Sequence, residues 1–410
     1  MAASLSSLWL KSIKRLTRLP RAKGRQLVKN AITQTVSAFV KTALDAKKRA
    51  PTAPTTRRAP VTKVLPSSAV QTHHPDPALK LPGAQRGFLP AGATWQKAYF
   101  SSPETAPMGI PRRMAYWLYT PAHAASAAAT GQAMPLVVVL HGCQQTATDI
   151  AAATRMNVWA ERKGFAVLYP QQSASADRHR CWHWYRRGVQ RGDGEVAIVA
   201  QMIAQIQKFH GFDCSRTYAA GLSAGAALAT ILALRHPALI AAVGLHSAPV
   251  FATSDSALSA YRTMQQGAPH AHSAVASQFL AEHEDFPGMP VMVIHGDGDT
   301  VVRRINAQEL AQQFLLVNAS KLGSAAPARR LHAGSGAGKR RRLGYQTDTW
   351  YLKRKPFVVN CMVTGLGHAW SGGDSVTGFT DPRGPNASLM LWNFFAQHQR
   401  TAAKNTILTD

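Results

Sequence analysis

A serine framed by two glycines, in Gly221-Leu-Ser223-Ala-Gly225, is the part of the chain best suited to covalent chemistry. Residues 216–220 before it are strand-like, and residues 224–235 after it form an apolar stretch of helical length. A sharp turn from a strand into a helix leaves no room for side chains beside the serine, so glycine fits there. The turn also presents the hydroxyl at a helix N-terminus, where backbone N–H groups favour a developing anion. We therefore predict a nucleophilic serine at Ser223, and a serine in an ordinary strand-to-helix turn is the alternative.

A nucleophilic serine needs a general base and an acid that orients the base. In a sheet enzyme with such a turn, the expected chain order is serine, then aspartate or glutamate, then histidine. Asp299 and His368 follow Ser223 in that order, and each stands just past a predicted strand. We predict that His368 is the base and that Asp299 orients it.

Three further residues are alternatives for these two roles. His246 and His295 also stand at the ends of predicted strands, and Asp297 shares the His295-Gly-Asp-Gly-Asp299 turn. We favour Asp299 because two valines follow it and can anchor its loop, which leaves Asp297 to cap a turn. We favour His368 because the glycines on both sides of it let its loop fold over the serine.

An oxyanion hole requires two N–H donors near the nucleophile. One is predicted at Ala224, directly after the serine. The other is predicted at Cys143 or Gln144, in the loop after a buried strand at residues 135–140. Each such donor is worth roughly 3 kcal/mol of transition-state stabilisation. A plain strand-to-loop turn is the alternative interpretation of this segment.

The chain has four cysteines, too few for a disulfide scaffold. Cys143 and Cys181 fall on loops of neighbouring predicted strands. The two cysteines either form a disulfide or remain free thiols, and the sequence leaves both alternatives open. Cys214 and Cys361 are predicted to be buried free thiols. No set of histidines and cysteines has the spacing of a zinc site, so we expect no metal. The aromatic residues that follow Cys181 either line a substrate groove or pack in the core.

Strand-like and helix-like stretches alternate between residues 91 and 400, which predicts an α/β fold with a mostly parallel central sheet and helices on both faces. The candidate residues all follow strands, at the edge where such sheets carry their chemistry. Residues 252–287 are predicted to be helices or a cap. The predicted strands include 135–140, 165–169, 239–245, 290–294, 350–353 and 357–363, with helices at 146–163, 195–210, 307–316 and 388–398, and a loop at 319–342.

The formal net charge of +27 indicates an anionic environment, such as a polyanion or an anionic surface. Residues 1–50 contain one acidic residue and two basic amphipathic stretches, so we predict helices that bind an anionic surface, pack on the enzyme body or fray. Residues 51–90 are predicted to be a proline-rich linker, and residues 401–410 a tail. No apolar h-region or membrane-length run is present in the sequence, so we expect no ordinary signal peptide.

Six motifs together resemble the polyhydroxybutyrate (PHB) depolymerase family of esterases and the related feruloyl and acetylxylan carbohydrate esterases. They are His141-Gly-Cys-Gln-Gln145, Cys181-Trp-His-Trp184, Arg191-Gly-Asp-Gly-Glu195, Gly221-Leu-Ser-Ala-Gly-Ala226, His295-Gly-Asp-Gly-Asp299 and Gly365-Leu-Gly-His-Ala-Trp-Ser-Gly-Gly373. The resemblance covers about residues 95–398. It implies an α/β-hydrolase fold, a Ser223–Asp299–His368 triad and a position of Trp370 near the substrate. We also predict Trp182 and Gln145 as substrate contacts.

On this basis we expect a serine esterase that hydrolyses short-chain hydroxyalkanoate esters through an acyl-enzyme, with no cofactor and no nucleic-acid partner. A feruloyl or acetylxylan-type esterase is one alternative. Another is a binding protein whose basic arm contacts nucleic acid or a surface, with the hydrolase as scaffold. Secreted members of the family carry a signal peptide, so we expect a cytoplasmic or PHB-granule-associated protein held by residues 1–50, with an extracellular location as the alternative.

Overall fold

The computed structural model describes residues 90–105, 111–124, 131–322, 328–332 and 342–400. The predictions for the basic arm at residues 1–50, for nearly all of the linker and for the tail at residues 401–410 lie outside these residues.

The central feature is a ten-stranded sheet with the strand order β1-β2-β4-β3-β5-β6-β7-β10-β9-β8. From β4 to β10 in this order, all neighbours are parallel, and the strands at both margins pair antiparallel. A separate short pair joins β11 to β12. The strands are β1 (Thr94–Thr105), β2 (Pro111–Thr120), β3 (Leu136–Leu140), β4 (Ala166–Gln171), β5 (Thr217–Leu222), β6 (Ala242–His246), β7 (Val291–Gly296), β8 (Ala328–His332), β9 (Tyr345–Leu352), β10 (Lys355–Val363), β11 (Trp370–Ser371) and β12 (Thr380–Asp381).

Strand β3 shows why the sequence forms a sheet covered on both faces. All five of its residues are fully buried. Leu136, Val138 and Leu140 pack in one core, and the alternate residues Val137 and Val139 pack in a second core on the other face. Strands buried on both faces are expected to be apolar throughout, without the alternation of a half-exposed strand.

Helices α4, α5 and α8 contribute to the first core, and helices α1, α2 and α10 contribute to the second. The predicted α/β fold, mostly parallel with helices on both faces, is therefore confirmed. The helices are α1 (Ala147–Thr154), α2 (Met156–Lys163), α3 (Arg187–Gln190), α4 (Glu195–His210), α5 (Ala224–Arg235), α6 (Ala257–Gln266), α7 (His272–Glu282), α8 (Ile305–Val317), α9 (Ala319–Leu322) and α10 (Ala387–Phe395).

Local predictions differ from the structure at several places. Strand β1 is absent from the predicted strands, and the strand predicted at 350–353 begins earlier, at residue 345. The single helix predicted at 146–163 is two helices, because Arg155 adopts a left-handed conformation with φ 53°. The loop predicted at 319–342 contains α9 and the edge strand β8. The side chains of β8 are mostly exposed, so no apolar pattern marks it, and its pairing with β9 defines it instead.

No helix in the described part of the chain combines the length and the apolar character needed to cross a membrane.

Candidate active site

Ser223 sits in a strained turn between β5 and α5, with φ 57° and ψ −120°. This is the left-handed region that a non-glycine residue rarely adopts, and such strain is concentrated at functional sites. A Cβ on Gly221 would overlap the backbone of Gly225, and a Cβ on Gly225 would overlap the carbonyl oxygens of Leu140 and His141. Both flanking residues therefore have to be glycine, for the reason that the sequence pattern indicated.

The predicted acid and base are in direct contact. Nδ1 of His368 donates to Oδ2 of Asp299 over 2.7 Å. The other carboxylate oxygen, Oδ1, accepts the N–H groups of Val301 and Val302, both at 2.9 Å. These bonds fix the carboxylate and place the proton of a neutral His368 on Nδ1. The Nε2 lone pair is then the part of the ring that can accept a proton.

The electrostatics of this pair favour an ionised carboxylate. Burial raises the pKa of Asp299, but the charge of His368 and its hydrogen bond outweigh that effect, so the pKa lies below its ordinary value. The Asp299 side chain is fully buried, whereas that of His368 is 11% exposed. The histidine therefore faces both the Asp299 carboxylate and the protein surface.

Each alternative base has a backbone hydrogen-bond partner. His295 is buried, and its Nε2 donates to the carbonyl of Val302 over 2.8 Å and lies 3.6 Å from Oδ2 of Asp299. His246 is also buried, and its Nε2 accepts the N–H of Ser371 over 3.1 Å. Asp297 accepts the N–H of Gly365 over 2.6 Å, a turn-capping bond of the kind predicted for it.

All three candidate residues follow parallel strands: Ser223 follows β5, Asp299 follows β7, and His368 follows β10. Strand β6 lies between β5 and β7, and β10 lies on the far side of β7. The contacts of the described residues join Asp299 to His368 but include no hydrogen bond between Ser223 and His368. In free enzymes this bond is often long and shortens when substrate binds.

The segment at residues 141–145, here the oxyanion loop, lies against the serine turn. A Cβ built on Gly142 would lie 3.6 Å from Cβ of Ser223. The N–H of Gln144 already donates to the carbonyl of His179 over 2.6 Å, so it is not a free oxyanion donor. The N–H groups of Cys143 and Ala224 donate to no group in the described part of the chain. Of the two donors that the sequence left open in this loop, the structure thus favours Cys143.

Two contacts brace the oxyanion loop from the segment at residues 172–195. Cys143 and Cys181 form a disulfide, which resolves the alternative between a disulfide and two free thiols. The other two cysteines are free thiols; Cys361 is buried as predicted, but the prediction is wrong for Cys214, which is exposed in the turn between α4 and β5. Trp182 Nε1 donates to the carbonyl of His141 over 2.9 Å, and the Trp182 side chain is fully buried. Trp182 therefore holds the loop in place, contrary to the predicted substrate contact.

Two other predicted substrate contacts are also inaccessible. Trp370 is fully buried, stacks on His246 with ring centroids 5.0 Å apart and donates to Ser388 over 3.1 Å. Gln145 is 2% exposed, and its Oε1 accepts the N–H of Gly142 over 2.9 Å. The Nε2 of Gln145 is buried and has no partner among the described residues. The two tryptophans pack behind the site, and only Gln145 retains an unused donor.

Sequence reasoning missed an ionic cluster behind the oxyanion loop. His183 Nδ1 donates to Glu195 over 2.6 Å, and its Nε2 lies 3.5 Å from Asp177. Hydrogen bonds to Asp177 and Glu195 outweigh burial and raise the pKa of His183 to about 9. The signal was present in the motif at residues 191–195, whose last residue is Glu195. A cleft of about 460 Å³ opens beside the cluster.

Within the described ranges, no group of three or more histidine, cysteine, aspartate or glutamate side chains has a metal-binding arrangement.

A mostly parallel sheet with a strained serine turn after one strand, and an Asp–His pair after two others, defines the α/β-hydrolase class. The family model described as "Esterase PHB depolymerase" matches residues 114–337. The chain belongs to this family.

Relatives of two kinds share parts of the sequence. Poly(3-hydroxyalkanoate) depolymerase C of Paucimonas lemoignei is 32% identical over 44% of this chain and 44% of its own length. A probable acetylxylan esterase A of Neosartorya fischeri is 25% identical over 57% of this chain and 62% of its own length. The chain thus spans about half the length of these relatives. The structure of an acetyl xylan esterase from Aspergillus awamori has a TM-score of 0.55 at 20% identity and covers 73% of this chain and 99% of its own, which shows a shared fold.

Proposed function

We propose that the protein is a carboxylic ester hydrolase that uses Ser223 as nucleophile. The observation that carries the proposal is the 2.7 Å hydrogen bond between Asp299 and His368, at the sheet edge where the serine turn also lies. The family and its named relatives are esterases and depolymerases of esters, which supports the same reaction class.

In the proposed reaction, Nε2 of His368 takes the hydroxyl proton while Ser223 attacks the ester carbonyl. The N–H groups of Cys143 and Ala224 stabilise the oxyanion of the tetrahedral intermediate. His368 then gives the proton to the leaving alcohol, and an acyl-enzyme forms. Water activated by His368 releases the acid, while Asp299 stays ionised throughout and stabilises the imidazolium.

For the substrate, we propose short-chain hydroxyalkanoate esters, as polymer or oligomer. The family description and the 32% identity to a poly(3-hydroxyalkanoate) depolymerase support this choice. Acetylated xylan is the second candidate, favoured by the acetylxylan esterase names of other relatives.

The test compares wild type with Ser223→Ala on p-nitrophenyl butyrate, PHB oligomers and acetylated xylan. Loss of the nucleophile is expected to lower turnover by about four or more orders of magnitude. Ser273→Ala, a change at an exposed helical serine, serves as the matched control and is expected to behave as wild type. Undiminished hydrolysis by Ser223→Ala would refute the serine mechanism, and the ranking of the three substrates decides between the two substrate classes.

We further propose that residues 1–50 hold the enzyme on an anionic or PHB-granule surface. The excess of basic residues in this segment supports the proposal. Sedimentation with granules, or with vesicles that contain anionic lipid, measures the partition of the enzyme to the surface. Deletion of residues 1–50 is expected to abolish partition, and unchanged partition rejects the proposal.

For the compartment, we propose a cytoplasmic or granule-associated location, in keeping with attachment through residues 1–50, with an extracellular location as the alternative. The Cys143–Cys181 disulfide favours the alternative, because cytosolic thiols are kept reduced. Immunoblots of expressing cells and of their medium locate the protein: protein in the cell fraction supports the proposal, and protein in the medium rejects it in favour of the alternative.

A further inference from the structure

His246 contacts both halves of the proposed catalytic machinery. It is the last residue of β6 and pairs in register with Leu222 of β5 and Ile294 of β7. Its backbone carbonyl accepts the N–H of Ser223 over 2.9 Å. Its ring Nε2 accepts the N–H of Ser371 over 3.1 Å, in the loop that carries His368. One residue therefore holds the nucleophile through its backbone and the base-bearing loop through its side chain.

The surroundings of the His246 side chain require its imidazole ring to be neutral and in one defined tautomer. The backbone N–H of Ser371 can only donate, so Nε2 of His246 must be unprotonated. The proton then lies on Nδ1, 3.1 Å from the hydroxyl of Ser247. Burial lowers the pKa of His246 to about 3, which keeps the ring uncharged at neutral pH. Because the residue is fully buried and stacked on Trp370, it does not touch substrate and is not a catalytic residue.

The His368 loop (residues 364–373) is attached on both sides of the histidine. Before it, the carbonyl of Leu366 accepts the N–H of Gly298, which ties the loop to the turn after β7. After it, Ser371 is held by His246 and by its own hydroxyl, which donates to the carbonyl of Pro385 over 2.8 Å. The link through His246 reaches β6, the strand next to the serine turn.

We propose that His246 is a positioning residue that sets the separation between Ser223 and His368. The inference rests on the proposed esterase function. An apolar side chain of similar size would fill the same space but would leave the N–H of Ser371 without an acceptor, so the loop would lose its registration with the serine turn. Displacement of a reacting group by about 1 Å can cost about 100-fold in rate.

A matched pair of substitutions separates positioning from packing. Both leucine and glutamine approximate the volume of histidine, but only Oε1 of glutamine can accept the N–H of Ser371. For His246→Leu we expect kcat on p-nitrophenyl butyrate to fall about 10- to 100-fold, with KM within about twofold of wild type. For His246→Gln we expect kcat within about fivefold of wild type. Near-ultraviolet circular dichroism checks that both variants are folded, and exchange of the Ser371 amide hydrogen is expected to accelerate only in the leucine variant.

A measurement on the wild-type protein keeps the inference testable if His246→Leu does not fold. Nitrogen NMR of ¹⁵N-histidine-labelled protein at pH 7 is expected to show His246 as the neutral tautomer with the proton on Nδ1. A charged ring, or a proton on Nε2, would overturn the inference. So would folded leucine and glutamine variants with equal kcat.

The two hypotheses fail in different ways. A wild-type enzyme without ester hydrolysis, or an active Ser223→Ala variant, refutes the proposed function and the inference with it. An active wild type, an inactive Ser223→Ala and an unimpaired His246→Leu refute the inference alone.

Discussion

Asp299 holds His368 through one carboxylate oxygen, at 2.7 Å from Nδ1, and is itself held through the other oxygen by the N–H groups of Val301 and Val302. The carboxylate thus has no freedom to rotate, and the orientation of the imidazole follows from the turn after β7.

Asp299→Asn is expected to lower kcat by about 10⁴-fold with little change in KM, because an amide N–H facing Nδ1 forces the proton of His368 onto Nε2. Steady-state kinetics on p-nitrophenyl butyrate measures the effect. Asp297→Asn is the matched control, since Asp297 contacts the backbone of Gly365 and not the base, and we expect less than a tenfold loss. Equal losses in the two variants would contradict the assignment of the acid.

The ionic cluster around His183 makes stability fall at alkaline pH. The pKa of His183 is raised to about 9, above the unfolded value of about 6.5. Its contribution is therefore fully present below about pH 6.5 and is lost as the pH rises through 9. Urea midpoints at pH 6.5, 8 and 9.5 are expected to decline in wild type and to decline less in His183→Gln. The exposed His270→Gln serves as control, and a His183→Gln profile parallel to wild type would disprove the effect.

His398 makes stability fall at acidic pH, whereas His183 makes it fall at alkaline pH. Burial lowers its pKa to about 4, so the folded protein keeps the ring neutral while the unfolded chain binds a proton below about pH 6.5. Its contribution to stability is lost as the pH falls from about 6.5 towards 4. We expect His398→Phe to flatten the decline of the urea midpoint between pH 7 and 4.5, because the ring packs against Phe394 and its Nε2 has no partner among the described residues. A decline of the urea midpoint as steep as that of wild type would contradict the prediction, because groups other than His398 would then cause the loss of stability at acidic pH.

The Cys143–Cys181 disulfide is expected to support both stability and catalysis. Replacing both cysteines with alanine should cost about 2–4 kcal/mol of unfolding free energy, because the bridge closes a loop of 38 residues in the unfolded chain. We also expect kcat to fall, since the bridge anchors the loop that supplies the Cys143 N–H. Urea unfolding and steady-state kinetics measure the two effects. Cys214→Ser, at an exposed free thiol, is expected to change neither quantity, and a double variant indistinguishable from it would refute the prediction.

The chain sequence by itself determined the features that depend on local sterics and periodicity. The glycines beside Ser223 follow from the absence of space in a strand-to-helix turn, and helix α4 lies at Glu195–His210 as its pattern predicts. The alternation of strand-like and helix-like stretches predicted a mostly parallel sheet covered on both faces. The chain order of Ser223, Asp299 and His368, each just past a strand, was enough to nominate the acid and the base. Their contact follows from the pairing of β7 with β10, which are neighbours in the sheet although β8 and β9 lie between them in the chain.

Only the tertiary structure decided which polar groups are already occupied and which side chains are buried. The N–H of Gln144 is taken by His179, Trp370 lies behind the site, and His246 reaches from β6 to Ser371. These contacts join residues distant in sequence, and their geometry depends on strand order, register and loop path, none of which is encoded in a short motif. A motif specifies the chemistry that a side chain can perform, whereas burial and hydrogen-bond partners across the fold specify which side chains are free to perform it.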